Sequence, residues 1–213
     1  MQVSTMNLAR AGDADLPAIV GLMNRAYRGT GAAAGWNSEA GFIDGDRTTE
    51  SDLRAELMDA PDAVLLVHRD GEAGAIDACV WLEPAAPSVW YLGTLTVEPR
   101  GQNAGFGRRL LEAAEQWAAA QGARMIRIKV VNVRDTLIAW YERRGYRRTG
   151  GIEAFPYGDN RFGTPKRPDL EFVVLEKAIA DDRLQRSHGK QTLARLAGEG
   201  RLAVNVKRLP GGL

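Results

Sequence analysis

Val97-Glu-Pro-Arg-Gly-Gln-Asn-Ala-Gly-Phe-Gly-Arg-Arg-Leu-Leu111 places three glycines, Gly101, Gly105 and Gly107, between an alternating apolar run and an amphipathic stretch. A glycine-rich turn that opens a helix leaves several backbone N–H groups unpaired at the positive end of the helix dipole, which suits a phosphate. The spacing narrows the choice of ligand. The dinucleotide pattern G-x-G-x-x-G fails, because Leu110 stands where its third glycine belongs. The P-loop fails as well, since no glycine at the required spacing is followed by Lys and then Ser or Thr. A nucleotide-like cofactor held by another type of loop remains.

A second constellation lies about 30 residues further on, Leu137-Ile-Ala-Trp-Tyr-Glu-Arg-Arg-Gly-Tyr146. That distance suits one helix and one strand. Gln102-x-x-Gly105-x-Gly107 resembles the acetyl-coenzyme A loop of the GNAT superfamily of N-acetyltransferases. The second segment resembles that superfamily's other signature, a helix that ends in Gly followed by Phe or Tyr. The likeness covers roughly residues 6 to 178.

The resemblance implies roles for particular positions. Gln102, Asn103, Ala104, Gly105, Phe106, Gly107 and Arg108 would form the pyrophosphate cradle. Leu95, Thr96 and Val97 would pair through their backbone with the pantetheine arm, like an added strand. Tyr141 matches the family tyrosine that protonates the departing thiolate. A phenol near pKa ~10 is protonated at neutral pH and can act as acid to a thiolate near ~8.5. Two departures stand out: Arg134 where the family often has Asn, and Leu137 where a small Ala is common.

The general base is harder to place. The family often uses a carboxylate on the strand before the loop, but Gly93 and Thr94 occupy that stretch. Glu98, beside Pro99, reads as a solvent-facing loop residue, and Glu39, Asp44, Asp46 and Glu153 lie in candidate substrate loops. A water relay is the other route. His68 reads as structural and His188 falls in the tail; with one cysteine, Cys79, no metal site is expected. Trp36, Phe42, Arg47, Phe155, Tyr157 and Phe162 sit in two long loops expected to flank the acetyl group, either binding substrate or anchoring the loops.

The elements that must position these groups follow from pattern. Met6–Ala9 predicts a first strand, and Leu16, Ile19, Val20 and Met23 form the stripe of a helix with Pro17 in its first turn. Thr49 or Ser51 starts a second helix. Ala63–Val67 and Ala75–Leu82 read as strands joined at Asp70-Gly71, followed by a strand over Val89–Val97. A helix from Gly105 to Gln121, a strand over Met125–Val131, a helix from Arg134 to Arg144 and a last strand over Glu171–Leu175 complete the series. Ile152–Asp169 reads as a surface loop. This pattern predicts an α/β fold on a mixed sheet; the resemblance adds a mostly antiparallel central sheet flanked by helices, with splayed central strands.

The chain has 213 residues, 45% of them hydrophobic, and a net charge of +1. That supports one well-buried domain over residues 1–180 and no surface-wide attraction to nucleic acid. Residues 181–213 carry seven Lys/Arg against three Asp/Glu, a basic tail that is helical or loosely held. The lone Cys79 and the lack of any long apolar run fit a cytoplasmic protein without a membrane anchor. The functional expectation is acetyl transfer from acetyl-CoA to a primary amine of a small molecule or protein, by direct transfer in a ternary complex. The alternative is a non-catalytic acyl-CoA sensor. A homodimer is the assembly the resemblance suggests.

Overall fold

The computed structural model describes residues 6–30, 35–36, 38–71, 74–101, 105–159, 161 and 163–179. In chain order the elements are β1 (Ala9–Arg10), α1 (Leu16–Arg28), β2 (Ile43–Asp44), α2 (Glu50–Asp59), β3 (Val64–Arg69), β4 (Ile76–Ala86) and β5 (Val89–Val97). Then come α3 (Phe106–Ala120), β6 (Met125–Val131), α4 (Asp135–Glu142), β7 (Arg147–Ala154), β8 (Thr164–Pro165) and β9 (Glu171–Ala178). A seven-stranded sheet runs in the order β1-β3-β4-β5-β6-β9-β7, and β2 pairs with β8 in a separate ribbon. All pairings in the large sheet are antiparallel except β5 with β6.

Side-chain alternation sorts the core into two layers. Leu65, Val67, Cys79 and Trp81 face α1 and α2, packing on Leu16, Ile19, Leu22, Met23 and Leu53. Leu66, Val80, Leu82, Leu92, Ile126 and Ile128 face the other way, against Leu110, Leu111, Ala114 and Ala118 of α3 and Ile138 of α4. Thr49 caps α2, its hydroxyl accepting from the Asp52 N–H at 3.2 Å. Glu115 is the exception on α3: it is buried, and accepts from the Tyr146 hydroxyl at 2.9 Å and from Lys177 Nζ at 2.6 Å. Those two donors satisfy the buried carboxylate.

The parallel pair is the feature that builds the site. β5 and β6 pair only through Val89, Trp90 and Tyr91 with Met125, Ile126 and Arg127. Beyond Tyr91 the strands part. On its other edge β5 slips register against β4 between Cys79 and Trp81, where Gly93 pairs with Trp81 and Thr96 with Cys79. Thr94 lies in that bulge at φ 50°. A β-branched residue in the left-handed region is strained, and such bulges commonly re-aim a strand beside a site.

Two expectations change. The stretch expected as a surface loop, Ile152–Asp169, begins inside β7 and contains β8, so the sheet has an outer strand beyond β9. The strand expected over Ala75–Leu82 continues to Ala86, carrying Pro84 within it. The glycine-rich loop before α2 is tied down at Ile43–Asp44, paired to Thr164–Pro165.

Candidate active site

A cavity of about 480 Å³ opens where β5 and β6 part. Leu92, Gly93, Thr94, Leu95 and Val97 form one wall and Ile128, Lys129, Val130 and Val131 the other. Gly105, Phe106, Gly107 and Arg108 close one end, at the start of α3. Gly105 adopts φ 73°, in the left-handed region where a Cβ is penalised. The N–H groups of Phe106, Gly107 and Arg108 precede the first intrahelical bond, Arg109 N–H to Gly105 O at 3.1 Å. They form an open, positive helix terminus at the cavity.

Cationic and aromatic side chains gather at the same end. Arg143 and Arg144 line it beside Arg108 and Trp140. The Arg144 guanidinium lies 3.5 Å from the Trp140 ring centroid and donates to Trp140 O at 2.7 Å. Burial and the neighbouring Arg143 and Arg108 charges lower the pKa of Arg144. Trp36 adjoins this cluster, its ring 6.2 Å from Trp140.

Tyr141 stands between the two ends of the cavity. It projects from α4, is 6% exposed, and contacts Trp140 and Tyr146 edge-on at 4.9 and 5.4 Å. Burial pushes its phenol well above the ordinary value, so the group stays protonated. Its hydroxyl has no hydrogen-bond partner among the described residues.

The far end is built by α1, the segment before α2, and β6–α4. Glu39 is buried and accepts from Arg28 Nη1 at 2.7 Å and from Arg134 Nη1 at 3.1 Å. Arg134, the position of one family departure, thereby ties the start of α4 to the segment after α1. Arg47 lines the cavity with its guanidinium 5.5 Å from the Tyr27 ring centroid. Tyr27 in turn donates to Leu95 O at 3.4 Å. Tyr91 is pushed up to about 12 by burial, and Lys129 Nζ lies 5.3 Å from its ring.

The expected site residues divide as follows. Leu95, Val97, Gly105, Phe106, Gly107, Arg108, Tyr141, Trp36, Arg47 and Phe155 line the cavity. Thr96 does not; it is fully buried and its hydroxyl donates to Thr94 O at 3.1 Å. Phe42 packs instead with Ile43, Val131, Phe155 and Leu170, and the Tyr157 hydroxyl donates to Arg167 O at 3.0 Å and accepts from the Leu170 N–H at 2.7 Å. Both anchor loops. Gln102, Asn103, Ala104, Phe162 and the tail 181–213 lie outside the described residues.

Among the candidate bases only Glu39 lines the cavity. Glu98 pairs with Arg25 at 2.8 Å, Asp44 with Lys166 at 2.7 Å and Glu153 with Lys129 at 2.6 Å. His68 Nδ1 lies 2.7 Å from Asp77, and its ring meets Phe106 edge-on. Among the described residues no group of three His, Cys, Asp or Glu could hold a metal ion. No described helix is long and apolar enough to cross a membrane.

Sequence reasoning missed Tyr27, Tyr91, Lys129, Trp140 and Arg144 as cavity residues. Tyr27 was within reach, since it continues the Leu16–Ile19–Val20–Met23 stripe at helical spacing. Arg144 and Lys129 carry no pattern that separates them from solvent-facing charges.

Residues 32–146 match the acetyltransferase (GNAT) family. An uncharacterized N-acetyltransferase of Bacillus subtilis, YhfO, is 28% identical over 152 residues, covering 69% of this chain and 93% of that protein. Among solved structures, the ribosomal-protein-S18-alanine N-acetyltransferase of Escherichia coli superposes with TM-score 0.56 at 18% identity, over 82% of this chain and 94% of the other. A phosphinothricin acetyltransferase of Sinorhizobium meliloti, solved in complex with AcCoA, gives TM-score 0.56 at 16% identity, over 83% and 90%. At these identities the two structures report the fold.

Proposed function

Because this chain belongs to the acetyltransferase (GNAT) family, we propose that it moves the acetyl group of acetyl-CoA directly to a primary amine, with both substrates bound together. One observation carries the reading: the open N-terminus of α3 and the protonated Tyr141 face the same cavity, which begins where β5 leaves β6. The residues suit the donor. The N–H groups at Phe106, Gly107 and Arg108 would receive the pyrophosphate, with Arg143 and Arg144 supplying charge beside it. The left-handed Gly105 keeps that approach free of a side chain. The backbone of Leu95 and Val97, on the strand edge left open by β6, would take the pantetheine arm.

When bound, the thioester supplies an activated acyl carbon and a thiolate leaving group. A β5 N–H at the bulge donates to the carbonyl oxygen as it gains charge, and Tyr141 gives its proton to the departing sulfur. Glu39, clamped by Arg28 and Arg134, is poorly placed to take the amine proton, so water accepts it.

The test is thiol release from acetyl-CoA with pooled amines and peptides, run for wild type and Tyr141→Phe. We expect release with at least one acceptor and a fall in kcat on the order of 100-fold in the variant. Coenzyme affinity should change by less than about twofold, since the phenol acts on the leaving group and not on the phosphates. The second reading, an acyl-CoA sensor without turnover, draws on the lack of a free carboxylate among the described cavity residues. Tight coenzyme binding with no release from any pool would select it.

A further inference from the structure

The end of the cavity away from α3 carries more positive charge than its acidic side chains answer. Arg28, Arg47, Lys129 and Arg134 line it, against Glu39 as the described lining carboxylate. Arg28 and Arg134 both engage Glu39, and Lys129 pairs with Glu153 at 2.6 Å. Arg47 differs. Among the described residues no carboxylate lies within ion-pair distance of its guanidinium, which stands over the face of Tyr27 at 5.5 Å. Glu56 feels the Arg47 charge without reaching it as an ion pair.

The backbone beneath this cation is fixed. Asn24, on α1, accepts from the N–H of Arg47 at 2.7 Å and of Thr48 at 3.2 Å, and donates to Thr48 O at 3.0 Å. These bonds fix the backbone of Arg47 and Thr48 from which the Arg47 side chain reaches the cavity. A guanidinium so placed, with its fork unspent, matches a planar carboxylate.

We propose that the acceptor is a small amine that carries a carboxylate, an amino-acid-like substrate, and that Arg47 takes the carboxylate. The assignment rests on the acetyl-transfer reading above and adds the class of acceptor. The amine then lies between Arg47 and the wall of β5, where Tyr27 reaches Leu95 O. The cavity of about 480 Å³ must also admit the acyl end of the donor, which favours a small molecule over a long peptide.

The experiment titrates a panel of N-acetyl amino acids, each beside its own amide, onto the full chain saturated with coenzyme A, by calorimetry. Wild type should bind at least one acid, and prefer it over its amide by roughly tenfold or more. Arg47→Gln should reduce that preference to below about threefold, with Arg47→Lys intermediate because it keeps the charge without the fork. Amides that bind as tightly as acids, a panel with no bound acid, or a preference intact in both variants would overturn the assignment. Thiol release with the matching free amino acids and amino amides separates the two readings. Turnover of amides alone keeps the acetyltransferase and removes the carboxylate, whereas acid binding with no release from any amine removes acetyl transfer.

Discussion

Tyr141 and Glu39 meet very different surroundings in the same cavity, aromatic rings for one and two guanidiniums for the other. Tyr141 sits among aromatic rings, so burial disfavours its phenolate and the proton stays on well past pH 10. Its raised pKa leaves the acid form intact across the working range. The rate should therefore climb with pH as the acceptor amine deprotonates, with no alkaline fall below pH ~10 that belongs to Tyr141. A kcat/KM profile that turns down between pH 8 and 9 would count against its role. Glu39 is buried, and the guanidiniums of Arg28 and Arg134 both meet its carboxylate. Glu39→Ala should cost about 2–3 kcal/mol in urea unfolding, because two buried cations lose a shared partner. Loss below 0.5 kcal/mol would mean that their other contacts suffice.

Among the elements, the ribbon of β2 and β8 draws the two long loops together, at the end of the cavity where the acceptor is proposed to bind. The Lys166 N–H donates to Phe42 O at 2.9 Å, Lys166 Nζ donates to Ala40 O at 2.8 Å, and Arg28 Nε donates to Gly45 O at 3.0 Å. Gly163 lies at φ 79° where a Cβ would collide with Asp44 O and Ile43. Gly163→Ala should cost about 2 kcal/mol and raise the acceptor KM several-fold while leaving coenzyme affinity unchanged. Thermal melts and two-substrate kinetics read both. This ribbon also marks where the sequence stopped being informative. Val89–Val97 and Met125–Val131 were legible to the residue because strict alternation and flanking turns define a strand. Two-residue strands such as Ile43–Asp44 have no period to read; they exist because a distant partner supplies their hydrogen bonds. β7 was hidden for a related reason. Arg147–Ala154 is exposed throughout and pairs with β9 along one edge only, so it lacks an apolar face. The cavity lining followed the same rule: Gly105, Gly107, Tyr141, Trp36 and Phe155 stood out by type and motif and line it, Phe42 and Tyr157 stood out and do not, and Arg144 and Lys129 enter through tertiary packing alone.

For the whole molecule, four of the five tyrosines, Tyr27, Tyr91, Tyr141 and Tyr146, are held above their ordinary pKa, by burial first in each case. Below pH ~10 these phenols are protonated whether the chain is folded or not, and their contribution to stability is fully present. Above it the unfolded chain loses protons that the fold retains. Each group then removes up to about 1.4 kcal/mol per pH unit until its folded pKa is reached. Tyr91, Tyr141 and Tyr146 together drain up to about 4 kcal/mol per unit between pH ~10 and about 12, which approaches a typical domain stability of about 5–15 kcal/mol. Alkaline titration should therefore show most of the tyrosinate absorbance rising together with the loss of far-UV dichroism above about pH 11. Gradual tyrosinate formation in a chain that stays folded would contradict this account. The tryptophans divide differently: Trp36 and Trp140 stand together at the α3 end of the cavity, Trp90 and Trp117 meet edge-on in another part of the fold, and Trp81 is buried against Glu83. Two indoles thus line the cavity while the other three do not, which gives the protein a built-in optical reporter: a ligand entering the cavity should quench emission at Trp36 and Trp140, without a label and without turnover.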